Sequence, residues 1–158
     1  MRTPPDAVTV DIMQSLGAEA QQIKFAELYV ALQQGVVDGQ ENPLSVIMAA
    51  KFDQVQKHLT LTGHVYSPAI FLMNKASFDK LSAADQAAFV ESAREAAKAN
   101  RARVDEDDAK GVAELRSKGM TVIDNVDKAR FVSALGTVNA GFEKDFGKAN
   151  LDRIRSVK

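Results

Sequence analysis

A helix-rich α/β domain is what this sequence predicts, and three observations predict it. The first is size and balance. At 158 residues, 46% hydrophobic and 26% charged, the chain can bury one core and has the proportions of a soluble globular protein. The second is the run from Ser82 to Lys118, which has no proline and a single glycine, Gly111, and is rich in Ala, Glu, Lys and Arg. Such a run reads as one long helix. The third is the presence of short β-branched and apolar runs between helical stretches, at Thr60–Met73 and Met120–Ile123, which read as strands.

Taken in order, Pro4-Pro5 sets an extended opening and Asp6 caps a helix over about Ala7–Leu16, with Val8, Ile12 and Leu16 at helical spacing and Gly17 as its stop. Weak alternation over Ala20–Phe25 predicts a short strand. A helix over Ala26–Gln34 follows, burying Leu28, Ala31 and Leu32 and ending at Gly35. Asp38-Gly39 is a turn signal, and Pro43 opens a helix running to about Ala50, since proline lacks only an N–H that the first turn does not use. A helical stretch over Asp53–His58 extends it. Thr60–Met73 predicts two strand segments bent at Pro68. Ser82-Ala83-Ala84-Asp85 is a capping-box variant with Asp for the usual Glu, so the long helix spans Ala83–Lys118 and closes at Gly119. Met120–Ile123 reads as a buried strand. A last long helix over Asp127–Phe146 carries the stripe Phe131, Leu135, Val138, Phe142 and Phe146, and the tail Lys148–Lys158 forms a docking helix with Leu151 and Ile154.

Composition also excludes. Twenty Lys+Arg against 21 Asp+Glu leave a net charge of −1, so no basic excess exists to neutralise a nucleic-acid backbone. Without cysteine there is no disulfide, thiolate nucleophile or Cys-ligated zinc. The apolar runs fall far short of a membrane span, and Met1-Arg2-Thr3-Pro4-Pro5 opens without the apolar stretch of a secretory signal. The two histidines, His58 and His64, lack metal-ligand spacing and read as surface or helix-end residues. No nucleophile elbow, phosphate loop or dinucleotide-binding glycine motif is present. Glu27, Asp38 and Glu41 read as solvated or capping carboxylates, and the mixed charges of the long helix as a solvated face. No enzyme is expected.

One block is more specific. Glu27-Leu-Tyr-Val-Ala-Leu-Gln-Gln-Gly-Val-Val-Asp-Gly-Gln-Glu-Asn-Pro43 resembles the signature of the solute-binding proteins of tripartite ATP-independent periplasmic (TRAP) transporters, the DctP type. There a helix with a Glu-x-Tyr-x-Ala-Leu-Gln core leads through a glycine into Val-Asp-Gly-Gln-Glu-Asn-Pro. Arg2-x-Pro4, Leu16-Gly17-Ala18, Phe52–His58 with Leu61-Thr62-Gly63-His64, and Leu81-Ser82-x-x-Asp85-Gln86 agree with it, and the likeness fades after about Lys118.

The resemblance implies a fold like the second lobe of a periplasmic binding protein, truncated relative to the two-lobed family fold and corresponding to its C-terminal half. Residues 1–67 would form the second-lobe α/β segment, 68–108 a strand and helix start crossing to the first lobe, and 109–158 the return. It implies a solute-binding component that delivers a small organic acid to membrane permease subunits, in the periplasm, without a cofactor. Arg2 stands where the family pairs a guanidinium bidentately with the ligand carboxylate, a geometry that suits two parallel charge-assisted bonds. Read without the family, Arg2 is a frayed terminus. Asn42 stands where a polar side chain meets the same carboxylate; read alone it is the N-cap of the helix at Pro43. Phe25 matches a pocket-lining aromatic and would look the same as a core residue. Gln40 and Glu41 are expected to support these groups. Subgroups with cation-assisted ligands carry tryptophan where this chain has Asn42, which argues against a metal. Without a first lobe the apolar strand Ala69, Ile70, Phe71, Leu72, Met73 lacks a sheet, so a homo-oligomer through it and the long helix is expected. The alternative function is a helical oligomerisation module that binds no ligand.

Overall fold

Leu28, Ala31 and Leu32 recur at i, i+3 and i+4, so one helical stripe carries all three inward. In the computed structural model, which describes residues 1–157 apart from the side chain of Thr137, they are buried on helix α2, Phe25–Gln33. Val37, Ile47, Phe52, Leu59, Leu115 and Met120 close around them to make the core. Helix α2 ends as its sequence predicts. Gly35, at a φ of 70° that side chains with a Cβ disfavour, turns the chain so that its own N–H and that of Val36 satisfy the carbonyls of Leu32 and Ala31.

Before α2 come strand β1 (Arg2–Thr3), helix α1 (Ala7–Ser15) and strand β2 (Gln21–Gln22). β1 and β2 pair in parallel, Arg2 opposite Gln21 and Thr3 opposite Gln22. The Asp6 carboxylate accepts the Thr9 N–H at 2.8 Å, so the predicted cap is formed. The buried face of α1 is set by Thr9, Ile12 and Met13, with Val8 exposed.

After α2, helix α3 (Leu44–Ala49) leads into a 3-10 turn at Phe52–Gln54 and strand β3 (His58–Thr60), so the helical stretch expected over Asp53–His58 stops at Gln54. Short helix α4 (Lys75–Phe78) precedes the long helix α5 (Ala83–Ser117), followed by strand β4 (Thr121–Ile123). β3 and β4 pair in parallel. Ser82 caps α5 by accepting the Asp85 N–H, and its hydroxyl donates to the Asp85 carboxylate at 2.8 Å, so the shorter acid meets the Ser82 side chain in place of its backbone N–H. Only Gly111 and Leu115 of α5 are buried, where the helix crosses α3. A Cβ on Gly111 would meet the Met48 methyl at 3.1 Å and Leu44 Cβ at 3.4 Å, so this glycine sets the close approach.

Three further expectations are corrected. No strand forms between Leu61 and Asn74, because no sheet edge is at hand to pair a second segment, and Ile70, Phe71 and Leu72 stand 72%, 65% and 88% exposed. Of the buried strand expected over Met120–Ile123 only Met120, just before β4, is buried; in β4 itself Val122 is half-buried and Thr121 and Ile123 are exposed, since its sheet has only two strands. The helix expected over Asp127–Phe146 is two, α6 (Lys128–Ala134) and α7 (Gly136–Phe146), because Leu135 leaves helical geometry beside a glycine that propagates helix poorly. Helix α7 packs on α1, and α8 (Lys148–Arg155) packs on α7 with Leu151 half-buried, as a docking helix should. Lys158 lies outside the described residues.

Candidate functional site

Arg2 is fixed by three anchors. Its N–H donates to the Gly39 carbonyl at 2.8 Å, tying β1 to the Asp38-Gly39 turn. Its backbone pairs with β2, and its Nε donates to the Ile23 carbonyl at 2.9 Å. The residue is only 4% exposed, so it is no frayed terminus. Among the described residues the two Nη groups have no protein hydrogen-bond partner; only Nε is engaged. Burial lowers its proton affinity and Glu41 nearby raises it; a guanidinium stays charged throughout.

The segment that ends at Pro43 supplies the groups beside it. Asn42 does not cap α3: Pro43 takes that position without a side-chain bond, and the Asn42 amide donates instead to Gln40 Oε1. Locking these two amides together orients both and leaves the Asn42 carbonyl and its second N–H uncommitted. Glu41 is half-buried rather than solvated. Burial raises its carboxyl above the ordinary range, Arg2 pulls it down, and Asp6 pushes it up again. Phe25 opens α2 with half its surface exposed and its ring edge against Phe52, centroids 6.1 Å apart. It is therefore an accessible aromatic with one edge held, not a core residue.

Sequence reasoning missed His64. Gly63, at φ 56°, folds the chain back so that Thr62 Oγ1 lies 2.7 Å from His64 Nδ1. The other ring nitrogen, Nε2, is buried without a hydrogen-bond partner and faces Glu41 Oε2 at 3.7 Å. Burial holds this imidazole below its usual range. The only local signal was the Thr-Gly-His triplet itself; nothing in the spacing tied it to Glu41. His58, by contrast, is exposed at the start of β3, as expected.

Arg2, Gln40, Glu41, Asn42 and His64 are thus linked pairwise into one group. A shallow depression of about 590 Å³ lies elsewhere, between β2 and the outer face of α2 along Ile23, Ala26, Val30 and Val36, and none of these five residues lines it. Among the described residues no group of three or more His, Asp or Glu is placed to hold a metal ion, and no helix is long and apolar enough to cross a membrane.

Comparison with known proteins gives a consistent answer. The profile of the DctP family, bacterial extracellular solute-binding protein family 7, matches residues 1–145. A solute-binding protein of Verminephrobacter eiseniae is 69% identical over all 158 residues, which make up 47% of that protein. The 2,3-diketo-L-gulonate-binding periplasmic protein YiaO of Escherichia coli is 40% identical over 92% of the chain and 44% of its own length. A crystal structure of a TRAP periplasmic solute-binding protein from Polaromonas sp. JS666, bound to D-erythronate, superposes with a TM-score of 0.94 at 46% identity, covering 99% of this chain and 52% of that one. The chain spans about half the length of the relatives it matches.

Proposed function

Since the chain belongs to the DctP family, bacterial extracellular solute-binding protein family 7, we propose that it forms one wall of a cleft that receives a small organic acid for delivery to a membrane permease. Members of this family are periplasmic solute-binding proteins rather than enzymes, and those of TRAP systems bind small carboxylates and work with permeases. The observation that carries the reading is Arg2: a buried guanidinium anchored through Nε, with both Nη groups free. End-on, those groups match the two oxygens of a carboxylate. Asn42 offers a further donor, held in place by Gln40, and the open face of Phe25 offers an apolar contact for the carbon skeleton. Glu41 orients Arg2 through its charge. Residues 68–108 are read as the segment that reaches towards the other half of the two-lobed fold, and the protein as acting in the periplasm with its relatives.

The test is calorimetric titration with sugar acids, hydroxy acids and C4-dicarboxylates. For residues 1–158 on their own, which offer one side of the cleft, the expected dissociation constant for the best acid is on the order of millimolar. Arg2→Met should abolish the heat of binding, and Arg2→Lys should weaken it by about tenfold or more, because a point charge replaces a planar fork. Absence of binding by every acid, or undiminished binding by Arg2→Met, refutes the reading.

A specific observation also favours association between copies. Ile70, Phe71 and Leu72 are exposed side by side, and Phe89 and Val90 on α5 are half-exposed. We infer that Ala69–Met73 and the long helix meet a second copy of the chain.

A further inference from the structure

The pairing of His64 with Glu41 has no part in simply holding a carboxylate at Arg2. Two half-buried groups lie side by side, the imidazole with a buried, orphaned Nε2 and a carboxylate oxygen 3.7 Å from it. That separation is too long for a hydrogen bond and too short for indifference between charges. Thr62 serves the opposite ring nitrogen and its hydroxyl can either donate or accept, so the ring can hold one proton or two without losing that contact.

We propose that carboxylate binding at Arg2 is coupled to uptake of one proton from solvent by His64, whose charged ring then faces the Glu41 carboxylate across the 3.7 Å gap. The inference rests on the reading of Arg2 as the carboxylate receptor. In the free protein the Arg2 cation and the Glu41 anion offset each other, and neutral His64 suffices. A ligand carboxylate on Arg2 claims that positive charge and leaves two anions around one cation. Like charges at close range disfavour that state, and a proton on His64 restores the balance. Asp6 acts on Glu41, where it favours a proton on that carboxyl and so competes with His64, and Lys128, whose Nζ lies 3.6 Å from where a Cβ on Gly63 would sit, opposes a second positive charge on the ring. Burial of the imidazole disfavours its charged form in the free protein, which is the direction a coupled switch requires.

The sign follows from linkage. If the complex holds more protons than the free protein, affinity rises as pH falls through the His64 titration range of the complex, by up to about tenfold per pH unit for one full proton. The probe is D-erythronate, which stays ionised above about pH 5 as an α-hydroxy acid. Calorimetry at about pH 7.5 and 5.5, each in two buffers of different ionisation enthalpy, reads affinity and proton uptake together. The expected result is binding at least about threefold tighter at the lower pH, with net proton uptake, and loss of both the slope and the uptake in His64→Gln. His64→Asn serves if the Gln variant misfolds by circular dichroism. A pH-independent affinity in the wild type, or an unchanged slope in the His64 variants, which would put the proton on Glu41, overturns the proposal. Binding without proton uptake removes this inference alone; absence of binding at every pH removes the carboxylate reading and this inference with it.

Discussion

Lys51 is the one non-glycine residue at positive φ among those described, at 56° and 37°, where it ends α3 and starts the 3-10 turn. A left-handed conformation costs a residue with a Cβ about 1–2 kcal/mol, and a glycine in its place gives back about 0.5–1 kcal/mol through the more flexible unfolded chain. Lys51 is exposed and makes no side-chain cap. Lys51→Gly should therefore stabilise the protein by about 0.5 kcal/mol, seen as a higher urea midpoint with an unchanged slope. Single positions also mark how far the sequence could be read. Asp6 and Ser82 were legible as caps because a cap is satisfied within three residues of itself. Asn42 was ambiguous for the same reason: its type suits a cap, and only the position of Pro43 and the amide of Gln40 decided otherwise. Glu41 and His64 read as solvated or surface residues because their partial burial arises from 22 residues of intervening chain folding back, which no local pattern records.

Helices show a similar division. The span of α5 was readable almost to the residue from its capping box, its lack of proline and Gly119. Its packing was not. Nothing fully buried occurs on it before Gly111, so most of the helix relies on its own hydrogen bonds and on side-chain pairs such as Arg103–Asp107 and Lys110–Glu106. Each such exposed pair adds little, because water and salt screen it. Hydrogen exchange should accordingly be graded along α5, with amides before residue 105 exchanging at least about tenfold faster than those around Leu115, which sits fully buried against α3. Uniform protection along the helix would show that its first turns are covered in solution. The stripe from Phe131 to Phe146 has the right period for a single helix, yet the helix breaks at Leu135. Periodicity reports which face is buried and is insensitive to a one-residue interruption that keeps the phase.

At the scale of the molecule, two separate two-stranded parallel sheets are a slender frame for so many helices, and residues 61–74 run between them and α4 without regular structure. The apolar side chains of that run, with Phe89 and Val90, form the largest group of exposed apolar residues in the chain's middle third. Association through them should make the mass depend on concentration. Light scattering after gel filtration is expected to give a dimer on the order of 100 µM, with Ile70→Glu and Leu72→Glu returning the 17.1 kDa monomer. Both positions are exposed, so neither change should disturb the core. A monomer at every concentration up to that range rejects this interface.

By itself the sequence determined what short-range energetics controls: the caps, the glycine-terminated helix ends, the long helix, the apolar stripe of α2, and a motif dense enough to name the family. The family match over residues 1–145 and the Polaromonas structure bear out that last reading. Tertiary structure alone decided what depends on bringing distant residues together. It buried Arg2 between β2 and the Gly39 turn, set His64 against Glu41, and left Ala69–Met73 without a strand partner. The reason is physical. A cap or a helix face is stabilised by neighbours within a few residues, whereas desolvation, charge pairing and sheet formation depend on what the rest of the chain places nearby.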